Sequence, residues 1–176
     1  MTDEEILRKI VDGTPDSDIR EHLPTLYRLT VDLDARRVLE LGVKYGNSTL
    51  AFLMALHETG GHLTSVDIEL PRVAYKRIKR RGWLGRWTLR WRDDREYEWE
   101  HDTPPDIVFI DSSHAYEHTA YELDAFGGLA TGAVVLHDTH ENNYPGVRKA
   151  LDEWLDGKDV EVEEHEKQHG LTIVYP

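Results

Sequence analysis

The stretch Val38-Leu39-Glu40-Leu41-Gly42-Val43-Lys44-Tyr45-Gly46-Asn47-Ser48-Thr49 constrains the fold of this chain more than any other. A short apolar run leads into an acid, then two glycines, then a hydroxyl-rich helix start. Glycine lets the backbone turn sharply and lets a ligand approach it closely. The helix behind the turn offers unpaired N–H groups to that ligand. This is how a buried strand hands over to a helix beside a nucleotide-type ligand. A second such run, ending in Asp67, falls where the next strand belongs.

Around these runs the chain alternates strand and helix. Strands are predicted at Arg37–Leu41, His62–Asp67, Trp87–Trp91, Asp106–Asp111, Gly132–Asp138, near Val160–Glu164 and at Leu171–Tyr175. Helices are predicted at residues 4–11, 18–30, 48–59, 71–81, 116–129 and 145–155. Gly13-Thr14-Pro15-Asp16-Ser17 breaks the first two helices apart, and Asn47 or Ser48 is the expected N-cap of the third. Strands that are apolar throughout, such as Ile107-Val108-Phe109-Ile110, are covered on both faces. The alternation gives an α/β doubly wound sheet. The last two strands have no helix between them, so they form a hairpin with one strand antiparallel to the rest.

With 176 residues, the chain suits one α/β domain with a full core. No apolar run reaches the ~20 residues of a membrane helix. The acidic start Met1-Thr2-Asp3-Glu4-Glu5 lacks a signal-peptide profile, and cysteine is absent, so a cytoplasmic location is expected. The missing cysteines also exclude disulfides, thiol nucleophiles and thiolate metal sites. Net charge is −13, but residues 72–95 carry ten Lys/Arg against Asp93 and Asp94. The acidic remainder argues against general nucleic-acid binding, which needs clustered cations. The basic segment reads either as a solvated helix face or as a contact for an anionic partner.

Four strands end in or beside an acid: Glu40, Asp67, Asp111 and Asp138; Asp93 and Asp94 follow the third strand. Ligands of open α/β sheets bind outside the carboxyl ends of the strands. Acids gathered there can take ribose hydroxyls, an amine or a metal. The spacing Glu-x-Gly-x-x-x-Gly is not the dinucleotide fingerprint: Val43-Lys44 stands where the middle glycine would admit a pyrophosphate.

Over residues 35–175 the sequence resembles the class I S-adenosylmethionine-dependent methyltransferases. Val38–Gly46 is similar to their first motif and Ser65-Val66-Asp67 to their second. Asp111-Ser112-Ser113-His114-Ala115-Tyr116 and Gly132-Ala133-Val134-Val135-Leu136-His137-Asp138-Thr139 resemble a subgroup near the caffeoyl-CoA and macrolide-sugar O-methyltransferases and the cephalosporin hydroxylase-like proteins. The resemblance implies a single methyltransferase domain, 1–176, with an N-terminal helical cap (1–34) on a Rossmann-like core (35–176) of seven mostly parallel strands and an antiparallel C-terminal strand. It implies S-adenosylmethionine bound by Glu40, Gly42, Gly46, Ser48, Asp67, Asp94 and Asp111, and methylation of a small-molecule hydroxyl.

Many relatives hold a divalent metal, and by resemblance the ligands here are Asp111 and Asp138, with Mg²⁺ or Mn²⁺ the favoured ions. Thr139 replaces a relative's Asn and His137 a relative's Glu, so strand alternation nominates His140 as the third ligand. His114 follows the fourth strand and titrates near neutrality, which makes it the candidate general base beside Asp111; a helix-capping histidine is the alternative. His137 is expected to orient the strand end, and His22, in an N-terminal helix that closes over the cofactor in related folds, is expected to be a surface histidine. Tyr116 and Tyr144 are candidate acceptor-pocket residues, and Trp83, Trp87, Trp91 and Trp99 are expected to cluster in packing or at a homo-oligomer contact. A nicotinamide-dependent oxidoreductase and a non-catalytic cofactor-binding module on the same fold remain open at this point.

Overall fold

The computed structural model describes residues 1–11, 17–140 and 144–176, so the expected break at Gly13-Thr14-Pro15-Asp16 lies outside the described residues. Seven strands form one sheet in the order β3-β2-β1-β4-β5-β7-β6. β1 (Arg37–Leu41), β2 (His62–Asp67), β3 (Trp87–Trp91), β4 (Ile107–Ile110) and β5 (Ala133–His137) are parallel. β7 (Leu171–Tyr175) runs antiparallel to both of its neighbours, β5 and β6 (Glu161–His165). This is the Rossmann-like doubly wound sheet with an antiparallel C-terminal strand.

Side-chain alternation divides the core. On one face Val38, Ile107, Phe109, Val135 and Ile173 meet α1 (Asp3–Val11), α2 (Leu23–Asp32), α3 (Asn47–Thr59) and α4 (Arg72–Arg80). Ile6, Ile10, Leu23 and Leu26 of the first two helices belong to this same core. Phe52 and Phe109 pack edge to face with centroids 5.4 Å apart, and each is fully buried. Such a side chain stabilises the fold by about 2–3 kcal/mol through burial. On the other face Leu39, Leu41, Val108, Ile110, Val134 and Leu136 meet α5 (Tyr116–Phe126) and α6 (Pro145–Leu155).

Most boundaries fall within two residues of the sequence expectation, and three differences have a local cause. The second helix opens as a 3₁₀ turn at Arg20–His22 and becomes α-helical only at Leu23, with Pro24 in its first turn. Proline lacks the N–H that an interior position must donate, so the α-helix can begin there but not run through it. α5 stops at Phe126, and Gly127-Gly128-Leu129 continues as a 3₁₀ turn. The N-cap of α3 is Gly46 rather than Asn47 or Ser48.

The register sets the site. Leu41 lies beside both Val66 and Ile110, and Ile110 beside Leu136. The residues that follow these strands therefore gather along one rim. The chain leaves β1 for β2 on one side while β4 flanks it on the other, which makes this rim the topological switch point. Among the described residues, no helix is long and apolar enough to cross a membrane.

Candidate active site

The loop after β1 is built by left-handed residues: Gly42 has φ +93°, Lys44 +50° and Gly46 +77°. A Cβ on Gly42 would stand 2.1 Å from the Asp111 carbonyl oxygen, and one on Gly46 2.5 Å from Ala74 Cβ. The two glycines thus let the loop press against the β4–α5 connection and let α3 press against α4. Asp67 secures the loop from below. Its Oδ2 accepts from Val43 N–H (2.9 Å) and Lys44 N–H (3.1 Å), and Oδ1 accepts from Glu69 N–H. The Asp67 side chain remains partly exposed on the rim. Gly46, the N-cap of α3, supplies no side-chain cap.

Two residues assigned to the cofactor by sequence, Glu40 and Ser48, are bonded to each other. Glu40 points beneath α3 and is fully buried. It accepts from Ser48 Oγ (2.7 Å), Thr49 Oγ1 (2.9 Å) and Ser65 Oγ (2.5 Å). Alternation along β1 sends residue 40 inward, opposite to Leu39 and Leu41, so the acid clasps strand to helix. Ser48 donates its hydroxyl hydrogen to that clasp. Burial raises the Glu40 pKa to about 7 against the pull of the three hydroxyls.

At the ends of β4 and β5, four side chains converge. His114 Nε2 lies 2.6 Å from Asp138 Oδ2. His137 Nδ1 lies 3.2 Å from the same oxygen and 3.4 Å from Asp111 Oδ1. His137 Nε2 is 3.1 Å from the carbonyl of Gln168. A carbonyl only accepts, so this nitrogen carries a proton, and Nδ1 between two carboxylates carries another. His137 is therefore an imidazolium. Burial works against its charge, but Asp111 and Asp138 outweigh burial and push its pKa up to about 10. Asp138, although burial opposes it, is held well below the usual carboxylate range by His114 and His137. Hydrogen bonding to Asp138 raises His114, and burial raises Asp111. Tyr144 stacks on the His114 ring at 4.0 Å.

His140 does not join this cluster. Asp138 has φ +61°, so the extended alternation stops at His137 and cannot be counted forward to residue 140. The backbone turn directs His140 to Thr139 and toward Glu164 at 3.8 Å. Asp94 opens a 3₁₀ turn, Asp94–Glu96, and its buried carboxylate meets His118 of α5. Tyr116 turns to Glu153 of α6, whereas Tyr144 reaches the site. The tryptophans are dispersed: Trp87 is buried against Ser65, Trp83 packs on the first core, Trp99 packs on the second, and Trp91 is exposed.

Sequence reasoning missed the hairpin tip. His22 Nε2 bonds the Lys167 carbonyl (2.7 Å), Glu21 N–H bonds Gln168 Oε1 (2.7 Å), and His137 bonds the Gln168 carbonyl. The β6–β7 turn thus ties the N-terminal segment to the carboxylate cluster. Two of the three acceptors are backbone carbonyls, and no residue type announces those. Ser112 and Glu122, joined at 2.6 Å, were missed too; the His118–Glu122 spacing of four on one helix was the available signal.

The chain was compared with known proteins. No curated protein sequence matches it. Solved structures share the fold at low identity. One is a candidate caffeoyl-CoA O-methyltransferase from Staphylococcus aureus: 17% identity, TM-score 0.77, 100% of this chain and 93% of that one covered. Another is the O-methyltransferase TomG of tomaymycin synthesis from Streptomyces achromogenes, solved with S-adenosylmethionine: 19% identity, TM-score 0.70, 98% and 88% covered. A third is an O-methyltransferase from Bacillus cereus in complex with S-adenosylhomocysteine: 17% identity, TM-score 0.69, 99% and 90% covered. The family profile described as a methyltransferase domain matches residues 39–139, which run from the first glycine loop to the end of the carboxylate cluster. That match spans more than half of the chain, and the chain belongs to this methyltransferase-domain family.

Proposed function

We propose that the protein transfers a methyl group from S-adenosylmethionine to a hydroxyl of a small molecule, with His114 as the general base. The observation that carries the reading is the His114–Asp138 pair on the rim that also bears the glycine loop and Asp67. The residues present fit the cofactor: Asp67 is a partly exposed acceptor for ribose hydroxyls, and the left-handed Gly42 and Gly46 leave the loop beside it without side chains at those positions. When bound, S-adenosylmethionine supplies an electrophilic methyl group on a sulfonium. TomG, on the same fold, is bound to that donor and serves the synthesis of a small molecule, which supports both the cofactor and the acceptor class.

Asp138 accepts the Nε2 proton of His114 and so leaves Nδ1 as the basic nitrogen. Nδ1 takes the proton of the acceptor hydroxyl as its oxygen becomes nucleophilic. The imidazolium formed is stabilised by Asp138, which stays ionised because His137 and His114 hold its pKa down. Stacking by Tyr144 fixes the plane of the base. Holding hydroxyl and methyl in line supplies much of the rate.

Donor atoms of Asp111, His114 and Asp138 lie within 4.8 Å of one another, so the same residues fit a divalent cation. Two carboxylates and an imidazole suit a transition-metal ion such as Mn²⁺, which would lower the pKa of an acceptor oxygen held there. Titration with S-adenosylhomocysteine tests the cofactor reading: saturable heat and a raised melting temperature are expected, both weakened by Asp67→Ala. Absence of heat at saturating ligand would remove it. Incubation with labelled S-adenosylmethionine and a panel of sugars, phenols and other alcohols then tests transfer.

A further inference from the structure

A second donor cluster lies behind the rim, between the turn after β3 and the first two turns of α5. His118 Nε2 is 2.9 Å from one Asp94 oxygen, 3.1 Å from the other, and 3.9 Å from Glu122 Oε1. One donor atom from each of Asp94, His118 and Glu122 falls within a 4.8 Å sphere of mutual distances. The three residues come from two separate elements, and His118 and Glu122, four apart, share one helix face. Ser112 Oγ closes the set by donating to Glu122 Oε1.

Glu122 is what makes the cluster unusual. Its side chain is fully buried, and its second oxygen, Oε2, has no hydrogen-bond partner. A buried carboxylate oxygen left unpaired is costly, and a second carboxylate beside it adds repulsion. Burial and the Asp94 charge together raise the Glu122 pKa strongly. Among the described residues no Lys or Arg forms an ion pair with either carboxylate; His118, which bridges them, is an imidazole partly open to solvent. Ligand atoms of this kind at this separation are those of a small cation with mixed nitrogen and oxygen coordination.

We propose that Asp94, His118 and Glu122 bind a divalent transition-metal ion that braces the β4–α5 connection, separately from the rim cluster. Ser112 follows Asp111 directly, so an ion that fixes Glu122 also fixes the loop from which Asp111 and His114 project. One imidazole with two carboxylates favours Zn²⁺, Co²⁺ or Mn²⁺ over Ca²⁺. The role is structural, because among the described residues no hydrogen bond or ion pair joins Asp94, His118 or Glu122 to His114 or Asp138. The proposal does not depend on methyl transfer.

The test uses the metal-free full-length chain carrying Asp111→Asn and Asp138→Asn, which removes the rim carboxylates. Co²⁺ is titrated while visible absorption and heat are followed. One equivalent is expected to bind, with absorption bands that report an imidazole ligand. Adding His118→Gln or Glu122→Gln to that chain is expected to weaken binding roughly 100-fold or more. Circular dichroism confirms that each variant is folded. A folded parent that binds no Co²⁺ would overturn the proposal, as would binding indifferent to His118→Gln. A proton shared by the two carboxyls is the competing occupant; no cobalt binding together with a raised melting temperature in Glu122→Gln would establish it.

Discussion

In the socket beneath α3, Glu40 is held by three neutral hydroxyls; on the rim, Asp138 is held by two imidazoles. Both carboxylates are buried, Glu40 completely and Asp138 to 3% exposure. Hydroxyls bring dipoles without charge, so burial prevails in the socket and the Glu40 pKa rises to about 7. Imidazoles accept a proton and become counter-charges, so at the rim they prevail over burial and Asp138 stays ionised. An acid clasped by hydroxyls is a joint between elements. An acid clasped by titratable rings can orient a base and stabilise the charge that base acquires.

Substitutions on the two sides should separate those roles. The largest effect is expected for His114→Ala: methyl transfer falls by about 10²–10⁴-fold while S-adenosylhomocysteine affinity is retained. Undiminished turnover would end the assignment of His114 as base. Next, Gly42→Ala forces a Cβ into the Asp111 carbonyl at a left-handed position. It should cost about 2–4 kcal/mol of stability, read by urea unfolding, and weaken cofactor binding because the loop must shift. Retained affinity would show that the loop is not shaped for the ligand.

The pH dependence sharpens the same contrast. His114 must be unprotonated to act, and its bond to Asp138 raises its pKa above the usual histidine value. Turnover should therefore climb about tenfold per pH unit below that pKa and level off above it. Asp138→Asn removes the negative charge from that bond, so the rise should move to lower pH as the plateau falls. A plateau that falls with no movement of the rise would detach Asp138 from the base.

Much of the architecture was legible because it is carried by apolar pattern. The runs at Val38–Leu41, Ile107–Ile110 and Ala133–Leu136 and the glycines after β1 dictate a wound sheet whose acids share a rim. Side-chain direction was less legible. Alternation, applied to Glu40, would have turned it inward, whereas position alone suggested a ligand contact. At Asp138 alternation was applied where it no longer held, since φ +61° ends the extended backbone and brings His114 and His137, not His140, to the carboxylate. No residue type marks a left-handed aspartate in advance. The hairpin tip was hidden for a related reason, because Lys167 and Gln168 act on His22 and His137 through their carbonyls.

The smallest expected effect lies in the socket and is a slope of stability with pH. Glu40 titrates at about 7 in the folded chain against 4.5 for the unperturbed group. A folded pKa above the unfolded one means that the native state binds the proton more tightly. Its contribution is fully present below pH 4.5 and is lost as pH rises through about 7. His137, raised from 6.5 to about 10, loses its contribution only above that range, and Asp138, shifted downward, loses its own only in acid. Between about pH 5 and pH 6.5, Glu40 is thus the one of these three groups that moves. Over that interval the wild-type chain should lose roughly 1–2 kcal/mol that Glu40→Gln keeps. At the acid end the two chains should agree within about 1 kcal/mol, because an amide can exchange hydrogen bonds with the same three hydroxyls much as a protonated carboxyl does. Urea midpoints at the two pH values measure the difference. Equal slopes in both chains would mean that Glu40 is already ionised throughout, and that three hydroxyls can replace a counter-charge after all.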